Sequence, residues 1–214
     1  DPDNNYEILK ILDENTFKSY MAQYLDLRSL NIDVKDPPSR GATTQVSIID
    51  KAGNAASVTT TNGEGCGYLI PELGIMLNNM LGEEDLNPSG FHHFKRQQRL
   101  PTMMSPTVIM GSNGPELVIG SGGSNRIRSA IIQVILNLKK GMNLESAINA
   151  SRIHLEGNIL HCEPDISFPK KCELPEDIHI HQWDEQNLFF GGVNAVTRDE
   201  AAGDPRRGGT GVIC

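Results

Sequence analysis

The alternation of β-favouring and polar residues predicts two adjacent strands near residue 50. Thr44 to Asp50 and Ala55 to Thr61 are β-rich runs, and the intervening residues 51–54 (Lys-Ala-Gly-Asn) form a good tight-turn sequence. We therefore predict an antiparallel hairpin. Alternate residues of a strand share a face, so Thr59 and Thr61 point the same way and one of them can face Thr43 across the hairpin.

Apolar residues at helical spacing predict helices elsewhere in the chain. One amphipathic helix is predicted over residues 15–30, and another follows the glycine-rich residues 120–124. The second helix has a continuous apolar stripe and a glycine stop at Gly141. The stripe consists of Ile127, Ala130, Ile131, Val134, Ile135 and Leu138. A further helix over residues 143–152 and a buried strand over residues 189–196 complete the predicted elements.

Composition limits the class of protein. A chain of 214 residues with 38% hydrophobic residues and a mean hydropathy of −0.33 is typical of one soluble globular domain. No run approaches the 18 apolar residues of a membrane span, so none is predicted. The net charge of −8 argues against a nucleic-acid partner.

The cysteines and histidines do not predict a metal site. The four cysteines lack Cys-x-x-Cys spacing, and neither His92-His93 nor the pair His179 and His181 has the further ligands that zinc needs. Cys162 and Cys172 could close a small disulfide loop, with free thiols as the alternative. We therefore expect no metal.

Thr43 follows the pliant segment 37–42 (Pro-Pro-Ser-Arg-Gly-Ala) and has the features of a nucleophile created by chain cleavage. A threonine hydroxyl is a poor nucleophile near pH 7 unless a base takes its proton. A threonine at a chain terminus carries such a base in its own α-amine, which titrates near pH 8. The alternative is that Thr43 and Thr44 simply begin a strand.

Six segments, in order, resemble the small subunit of the γ-glutamyltranspeptidase family, whose members are N-terminal nucleophile hydrolases. They are Thr43–Asn54, Ser57–Thr61, Gly74–Asn79, Met104–Thr107, Gly120–Ser124 and Gly203–Arg206. The resemblance implies an α+β fold with four αββα layers, of which this chain forms the C-terminal half. Residues 1–42 would be the tail of the large-subunit segment with its processing loop, and residues 43–214 the small-subunit catalytic segment. It also implies that no cofactor is required.

The resemblance assigns catalytic roles to four residues. Thr43 would be the nucleophile after cleavage of the Ala42–Thr43 bond, and Thr61 would be the second threonine that hydrogen-bonds and orients it. Gly122 and Gly123 would form the oxyanion hole, with Gly123 and Ser124 as the alternative pair. A phosphate-binding loop is a competing interpretation of these glycines, but the Gly-x-x-x-x-Gly-Lys-Ser/Thr pattern is absent.

The resemblance also implies donor-binding residues. Asp85, with Glu84 next in line, would pair with the α-ammonium of a γ-glutamyl donor, although a solvated acidic turn is the alternative. Two family serines that bind the donor carboxylate correspond here to Thr102 and Met103, so one hydroxyl is retained and one is lost. The family's donor-binding arginine lies in the large subunit. Arg96 and Arg99 near Thr102 could replace it or serve only the surface.

The resulting expectation is a γ-glutamyl transferase or hydrolase that cleaves amides such as glutathione through an acyl-enzyme. The expected partners are the large-subunit segment of the same precursor, a γ-glutamyl donor, and water or an amino acid as acceptor. Three alternatives stay open. They are a related acylase acting on a β-lactam side chain or poly-γ-glutamate, an unprocessed scaffold without activity, and a structural domain that has no activity without its partner segment. Asp204 and Arg206 are expected to form an ion pair that fixes the closing loop. The compartment is left open.

Overall fold

The computed structural model describes residues 43–83, 86–87, 89–168, 174 and 177–214. The chain divides between Pro38 and Ser39, and every described residue belongs to the second unit, Ser39–Cys214. The helix predicted over residues 15–30 lies outside the described residues. The functional boundary predicted at Ala42–Thr43 stays a prediction.

The described residues form eleven strands and two α-helices. In chain order they are β1 (Thr43–Ile49), β2 (Ala55–Thr61), β3 (Leu69–Ile70), β4 (Ile75–Met76), β5 (Thr107–Gly111), β6 (Gly114–Gly122), α1 (Arg126–Lys139), α2 (Leu144–Asn149), β7 (Ile153–Glu156), β8 (Ile159–Cys162), β9 (His179–Gln182), β10 (Gly192–Val196) and β11 (Ala201–Gly203). Single 3-10 turns lie at Met80–Gly82, Leu188–Phe190 and Pro205–Arg207.

The predicted hairpin is confirmed as β1 and β2, which pair antiparallel with Thr43 directly opposite Thr61. The turn between them closes on Asp50, whose carboxylate accepts hydrogen bonds from the N–H groups of Ala52 (2.9 Å) and Asn54 (2.8 Å). Gly53 has a φ of +84°, a conformation that glycine adopts without steric cost. The local turn chemistry thus sets the register that brings the two threonines together.

The hairpin packs against the main sheet, in which the antiparallel strands follow the order β11-β10-β6-β5. The contact is polar: the Ser47 hydroxyl donates to the Asn194 carbonyl (2.9 Å) and the Ser57 hydroxyl donates to the Ile119 carbonyl (3.0 Å). A methyl group at Gly120 would lie 2.2 Å from the carboxamide carbon (Cδ) of Gln45. Glycine at this position therefore allows the Gln45 side chain to pack closely on β6.

Both helices cover the opposite face of the main sheet. The predicted apolar stripe of α1 is confirmed, since Ile127, Ala130, Ile131 and Val134 are buried. They pack with Leu144, Ala147 and Ile148 of α2 and with Leu117, Ile119, Val193 and Ala195 of the sheet. Helix α2 ends at Asn149 rather than at the predicted residue 152, because Ala150 leaves the helix with a ψ of 144°.

The strand predicted over residues 189–196 is partly wrong. Leu188–Phe190 form a 3-10 turn and the strand begins only at Gly192. The side-chain oxygen of Asn187 accepts a hydrogen bond from the Phe189 N–H (3.0 Å), which caps the turn, and Gly191 has a φ of +81°. The apolar pattern did not reveal this cap, which holds Leu188–Phe190 in a turn before the strand starts.

The α+β class is confirmed, and hairpin, main sheet and helices form three successive layers. Apolar side chains on the outer face of the hairpin, Val46, Ile48 and Val58, are each about half exposed (47%, 51% and 49%). This face is the position that the fourth layer of an αββα fold covers. No helix among the described residues is long and apolar enough to cross a membrane.

A buried ion network fixes the last loop of the chain. The predicted pair of Asp204 and Arg206 is confirmed at 3.2 Å. It belongs to a larger cluster in which Asp204 also contacts Arg152 (2.6 Å) and Arg206 also contacts Glu163 (2.5 Å). Asp204 accepts a hydrogen bond from the Val193 N–H (2.9 Å), so the network ties the loop to β10.

Candidate active site

Two threonine hydroxyls meet at the end of the hairpin. Thr43 Oγ1 lies 2.9 Å from Thr61 Oγ1, a hydrogen-bond distance at which either oxygen can be the donor. The Thr61 oxygen also accepts a hydrogen bond from the Gly63 N–H (2.9 Å). Because this second bond orients the Thr61 hydroxyl, its proton is available to Thr43 Oγ1.

The glycine-rich end of β6 lies against Thr43. A methyl group at Gly122 would be 2.8 Å from the Thr43 carbonyl oxygen and 3.4 Å from its Cβ, so only glycine allows this approach. Gly123 has a φ of +130° and packs against Gly191, where a methyl group would be 2.7 Å from the Gly191 Cα. Ser124, the alternative oxyanion-hole residue, has a φ of +51°. The structure thus places Gly122 against the proposed nucleophile, and Gly123 follows directly in the chain.

An open cavity of about 500 Å³ lies over these groups. Its lining includes Thr43, Thr61, Gly123 and Ser124 from the predicted catalytic segments, together with Thr102 and Met103 from the predicted donor-binding segment. The hydroxyl oxygen of Thr102 accepts a hydrogen bond from the Met104 N–H (3.1 Å), which leaves its proton for a ligand. The structure therefore brings the nucleophile and the donor-binding threonine to one cavity.

Of the acidic segment 83–85, only Glu83 lies among the described residues. Glu84 and Asp85 lie outside the described residues, so their predicted roles stay predictions. Glu83, the residue before them, lines the cavity and lies against Gly63, just past Thr61. Asn79, in a family-like segment but not singled out from the sequence, also lines the cavity and accepts a hydrogen bond from the Glu64 N–H (2.7 Å).

Arg96 and Arg99 are exposed and lie outside this cavity. Two other arginines line it instead, Arg126 at the first turn of α1 and Arg207 in the last loop. Sequence reasoning missed both. One signal was available for Arg126. A cation at a helix N-terminus interacts unfavourably with the helix dipole, so its presence there indicates another structural or functional role.

Burial and the charge of Arg126 lower the pKa of Arg207 below its usual value, against the opposing effect of Asp204. Arginine side chains carry a positive charge in proteins. The cavity wall beside the glycine loop is therefore cationic.

No cluster of three His, Cys, Asp or Glu residues within the described part of the chain could hold a metal ion. Cys162 is a buried free thiol. Cys172, its possible disulfide partner, lies outside the described residues. Burial raises the pKa of the Cys162 thiol, as expected for a structural rather than reactive cysteine.

Comparison with known proteins identifies the family. The family model described as Gamma-glutamyltranspeptidase matches residues 3–214. This chain belongs to the γ-glutamyltranspeptidase family. Among curated γ-glutamyltranspeptidase relatives, the glutathione hydrolase proenzyme of Bacillus subtilis is 35% identical over 166 residues, which cover 76% of this chain and 28% of that protein. The capsule biosynthesis protein CapD proenzyme of Bacillus anthracis is 31% identical over 191 residues, covering 86% of this chain and 36% of that protein.

A solved γ-glutamyltranspeptidase from Pseudomonas nitroreducens, complexed with L-DON, superposes with a TM-score of 0.65 at 25% identity. The match covers 80% of this chain and 99% of the solved chain. The predicted N-terminal nucleophile hydrolase fold is confirmed by this likeness. The chain spans only about a third of the length of the two curated relatives named above.

Proposed function

We propose that this chain is the catalytic part of a γ-glutamyl transferase or hydrolase that works through a threonine acyl-enzyme. The observation that carries the proposal is the 2.9 Å contact between Thr43 Oγ1 and Thr61 Oγ1, with the glycine loop packed on Thr43. A nucleophilic hydroxyl, an orienting hydroxyl and backbone amides beside them are the parts that acyl transfer requires.

The first step in this proposal is self-cleavage. Thr43 Oγ1 attacks the carbonyl carbon of Ala42, and the peptide bond is replaced by an ester to Thr43. Water then hydrolyses the ester, which leaves Ala42 with a carboxylate and Thr43 with a free α-amine. This amine titrates near pH 8 and can accept the hydroxyl proton at neutral pH.

The second step is turnover. The amine takes the proton of Thr43 Oγ1 as the oxygen attacks the γ-carbonyl of the donor, and the proton then passes to the departing amine. Amides of the loop at Gly122 and Gly123 would stabilise the oxyanion, while the Thr61 hydroxyl would donate to Oγ1. Water or an amino acid then removes the acyl group from Thr43.

Two facts about relatives support cleavage before Thr43. The two curated relatives named above are called proenzymes. The solved chain from Pseudomonas nitroreducens is covered almost completely by 80% of this chain. Residues 43–214 number 172 of 214, so they also make up about 80% of this chain. The proposed partner is accordingly the large-subunit segment of the same precursor, in a heterodimer.

A related acylase is a second candidate because Met103, where the family has a carboxylate-binding serine, lines the cavity. Loss of that hydroxyl weakens the case for strict recognition of a free γ-glutamyl group. Asp85 and Glu84 keep their proposed role opposite the donor α-ammonium, and Thr102 its role toward the donor carboxylate.

Release of p-nitroaniline from γ-glutamyl-p-nitroanilide tests the proposal. We expect Thr43→Ala to abolish turnover and Thr43→Ser to retain part of it. Thr44→Ala should match wild type, because the Thr44 side chain lies on the opposite face of the strand from that of Thr43. Turnover by Thr43→Ala would contradict the assignment. Equal turnover of the γ-glutamyl and the des-amino glutaryl anilide would favour the broader acylase.

A further inference from the structure

Three of the six histidines lie in one row across the sheet formed by β7, β8 and β9. His154 of β7 is paired with His161 of β8, and His161 is paired with His181 of β9. Because directly paired residues of neighbouring strands share a face, the three imidazole rings lie on the same side of this sheet. The ring centroids of His161 and His181 are 5.3 Å apart. The proposed reaction uses none of these histidines.

The middle histidine of the row accepts a hydrogen bond from the only tryptophan of the chain. Trp183 Nε1 lies 3.2 Å from His161 Nδ1. An indole N–H is a donor only, so Nδ1 is the unprotonated nitrogen of a neutral imidazole. The main chain of Trp183 is held separately, because its N–H donates to the Cys162 carbonyl (2.9 Å). The contact of the two side chains therefore depends on the protonation state of His161.

Aromatic contacts connect this hydrogen bond to the wall of the cavity. Trp183 stacks on Phe189 with ring centroids 5.2 Å apart, and the His161 ring lies 4.6 Å from the same phenyl ring. Phe189 belongs to the 3-10 turn that begins at Leu188, which lines the cavity. The Phe189 carbonyl accepts a hydrogen bond from Nε of Arg126, another residue of the lining (3.0 Å). The turn thus contacts both the histidine row and the cavity.

Burial and nearby charges keep His161 neutral at pH 7. Burial is the largest cause that lowers the pKa of His161; the charges of His181 and Arg126 act in the same direction, and Glu156 opposes them. The ring therefore gains a proton only as the pH falls below the ordinary value near 6.5. By element, the titratable or charged groups around the row are Arg126 and Arg128 of α1, His154 and Glu156 of β7, and His179 and His181 of β9.

We propose that His161 is a pH-dependent positioning residue for the cavity turn. The neutral ring holds Trp183 against Phe189 and so keeps the turn in place. A proton on Nδ1 replaces the acceptor by a donor that faces the indole N–H, so the hydrogen bond breaks and the stack on Phe189 loosens. The turn that carries part of the cavity wall is then released in mildly acidic solution. The effect on turnover rests on the proposed function, whereas the release of the turn does not.

Fluorescence of Trp183 measures the contact directly, because the chain has no other tryptophan. We expect the emission of wild type to change reversibly in one titration step with a midpoint below about 6.5, the ordinary value for histidine. His161→Asn offers an amide oxygen in place of Nδ1 but takes up no proton, so this step should be absent. His179→Asn changes an exposed histidine outside the row and should keep the step. A step that persists unchanged in His161→Asn would overturn the proposal.

The neighbouring charges should move the midpoint in opposite directions. Glu156→Gln removes the carboxylate that favours a charged His161 and should lower the midpoint. His181→Asn removes a competing positive charge and should raise it. Both variants keep His161, so they test the proposal even if His161→Asn does not fold. Midpoints equal to that of wild type in both variants would contradict the proposal, because another group would then be titrating.

Hydrogen exchange of the turn tests whether the contact positions the cavity wall. The N–H groups of Phe190 and Gly191 donate to the carbonyls of Asn187 and Leu188 (3.1 and 3.2 Å). After correction for intrinsic rates, we expect these amides to exchange about 2- to 10-fold faster at about pH 5.5 than at about pH 7.5, the usual weight of one neutral hydrogen bond. In His161→Asn the change should be less than about twofold. The same change in both proteins would overturn the positioning role.

Turnover reports the consequence for the proposed reaction. The kcat/KM of wild type for γ-glutamyl-p-nitroanilide, divided by that of His161→Asn, should fall about 2- to 10-fold between about pH 7.5 and about pH 5.5. The division removes the pH dependence of the Thr43 amine, which both proteins share. A ratio that does not change with pH would contradict the coupling of the row to the cavity. Absence of turnover in both proteins would contradict only the proposed reaction, because fluorescence and hydrogen exchange test the positioning role without it.

Discussion

Replacement of Thr61 by valine isolates the hydroxyl contact at the proposed nucleophile. The two side chains have nearly the same shape, so Thr61→Val removes the 2.9 Å bond to Thr43 Oγ1 without opening a cavity. In the resting enzyme this bond joins neutral groups and contributes about 1 kcal/mol. When Oγ1 acquires charge, the bond becomes charge-assisted and contributes about 1.5–3 kcal/mol. Only the difference between these two contributions, about 0.5–2 kcal/mol, changes kcat/KM, because the variant also loses the bond in its resting state. At about 1.4 kcal/mol per tenfold, kcat/KM should fall roughly 2- to 30-fold.

The assay is kcat/KM for γ-glutamyl-p-nitroanilide in wild type, Thr61→Val, Thr61→Ser and Thr60→Val. Serine restores the hydroxyl and should recover most of the loss. Thr60 should tolerate valine, because its side chain points away from Thr43, to the face that carries Val46 and Val58. Thr61→Val also removes the acceptor of the Gly63 N–H, which should lower the free energy of unfolding by about 1 kcal/mol. Urea unfolding measures this loss of stability separately from the loss of activity. Activity of Thr61→Val within twofold of wild type would refute the role of this hydroxyl.

Three further perturbations test the supporting structure. Glu163→Gln leaves the buried Arg206 without its strongest partner and should lower the free energy of unfolding in urea by about 3–5 kcal/mol; a loss below 1 kcal/mol would contradict this. Gly122→Ala forces a methyl group to 2.8 Å from the Thr43 carbonyl oxygen, so turnover of the anilide should fall at least tenfold, in line with loss of an oxyanion donor. Burial lowers the pKa of His154, so unfolding free energy should decline as the pH falls below about 6.5, and His154→Asn should flatten that decline in pH-dependent urea titrations.

The sign of the histidine effect follows from proton binding. The folded state binds fewer protons than the unfolded state between the lowered pKa of His154 and the usual value near 6.5. The stabilising contribution is therefore complete above the usual pKa and is lost as the pH falls toward the lowered one. Stability of wild type that rises with acidification over this range would contradict burial of a neutral imidazole.

Local sequence patterns were sufficient for the elements that carry the proposed nucleophile. The hairpin followed from β-rich runs around a turn, and the Asp50 cap of that turn is itself a local contact. The register of Thr43 opposite Thr61 then needed no long-range information. The stripe of α1 was equally local, because its buried residues repeat at helical spacing.

The basic side of the cavity could not be predicted in this way. Arg126 and Arg207 become neighbours only because the turn at Leu188–Phe190 offers them adjacent carbonyls, and the apolar pattern of that turn predicted a strand. The polar interface of the hairpin was missed for a similar reason, since the contact of Ser57 with the Ile119 carbonyl spans 62 positions. Side-chain contacts between distant segments leave no periodic signal in sequence.

The central claim is that Thr43 becomes a terminal nucleophile by cutting the bond to Ala42. Intact-mass analysis with N-terminal sequencing of the purified wild-type protein and the Thr43→Ala variant tests it most directly. The account predicts a wild-type fragment that begins with Thr43-Thr44-Gln45 and an uncleaved Thr43→Ala variant. A Thr43→Ala variant that matures into the same pieces, or a wild-type fragment that begins at any other residue, would contradict the claim.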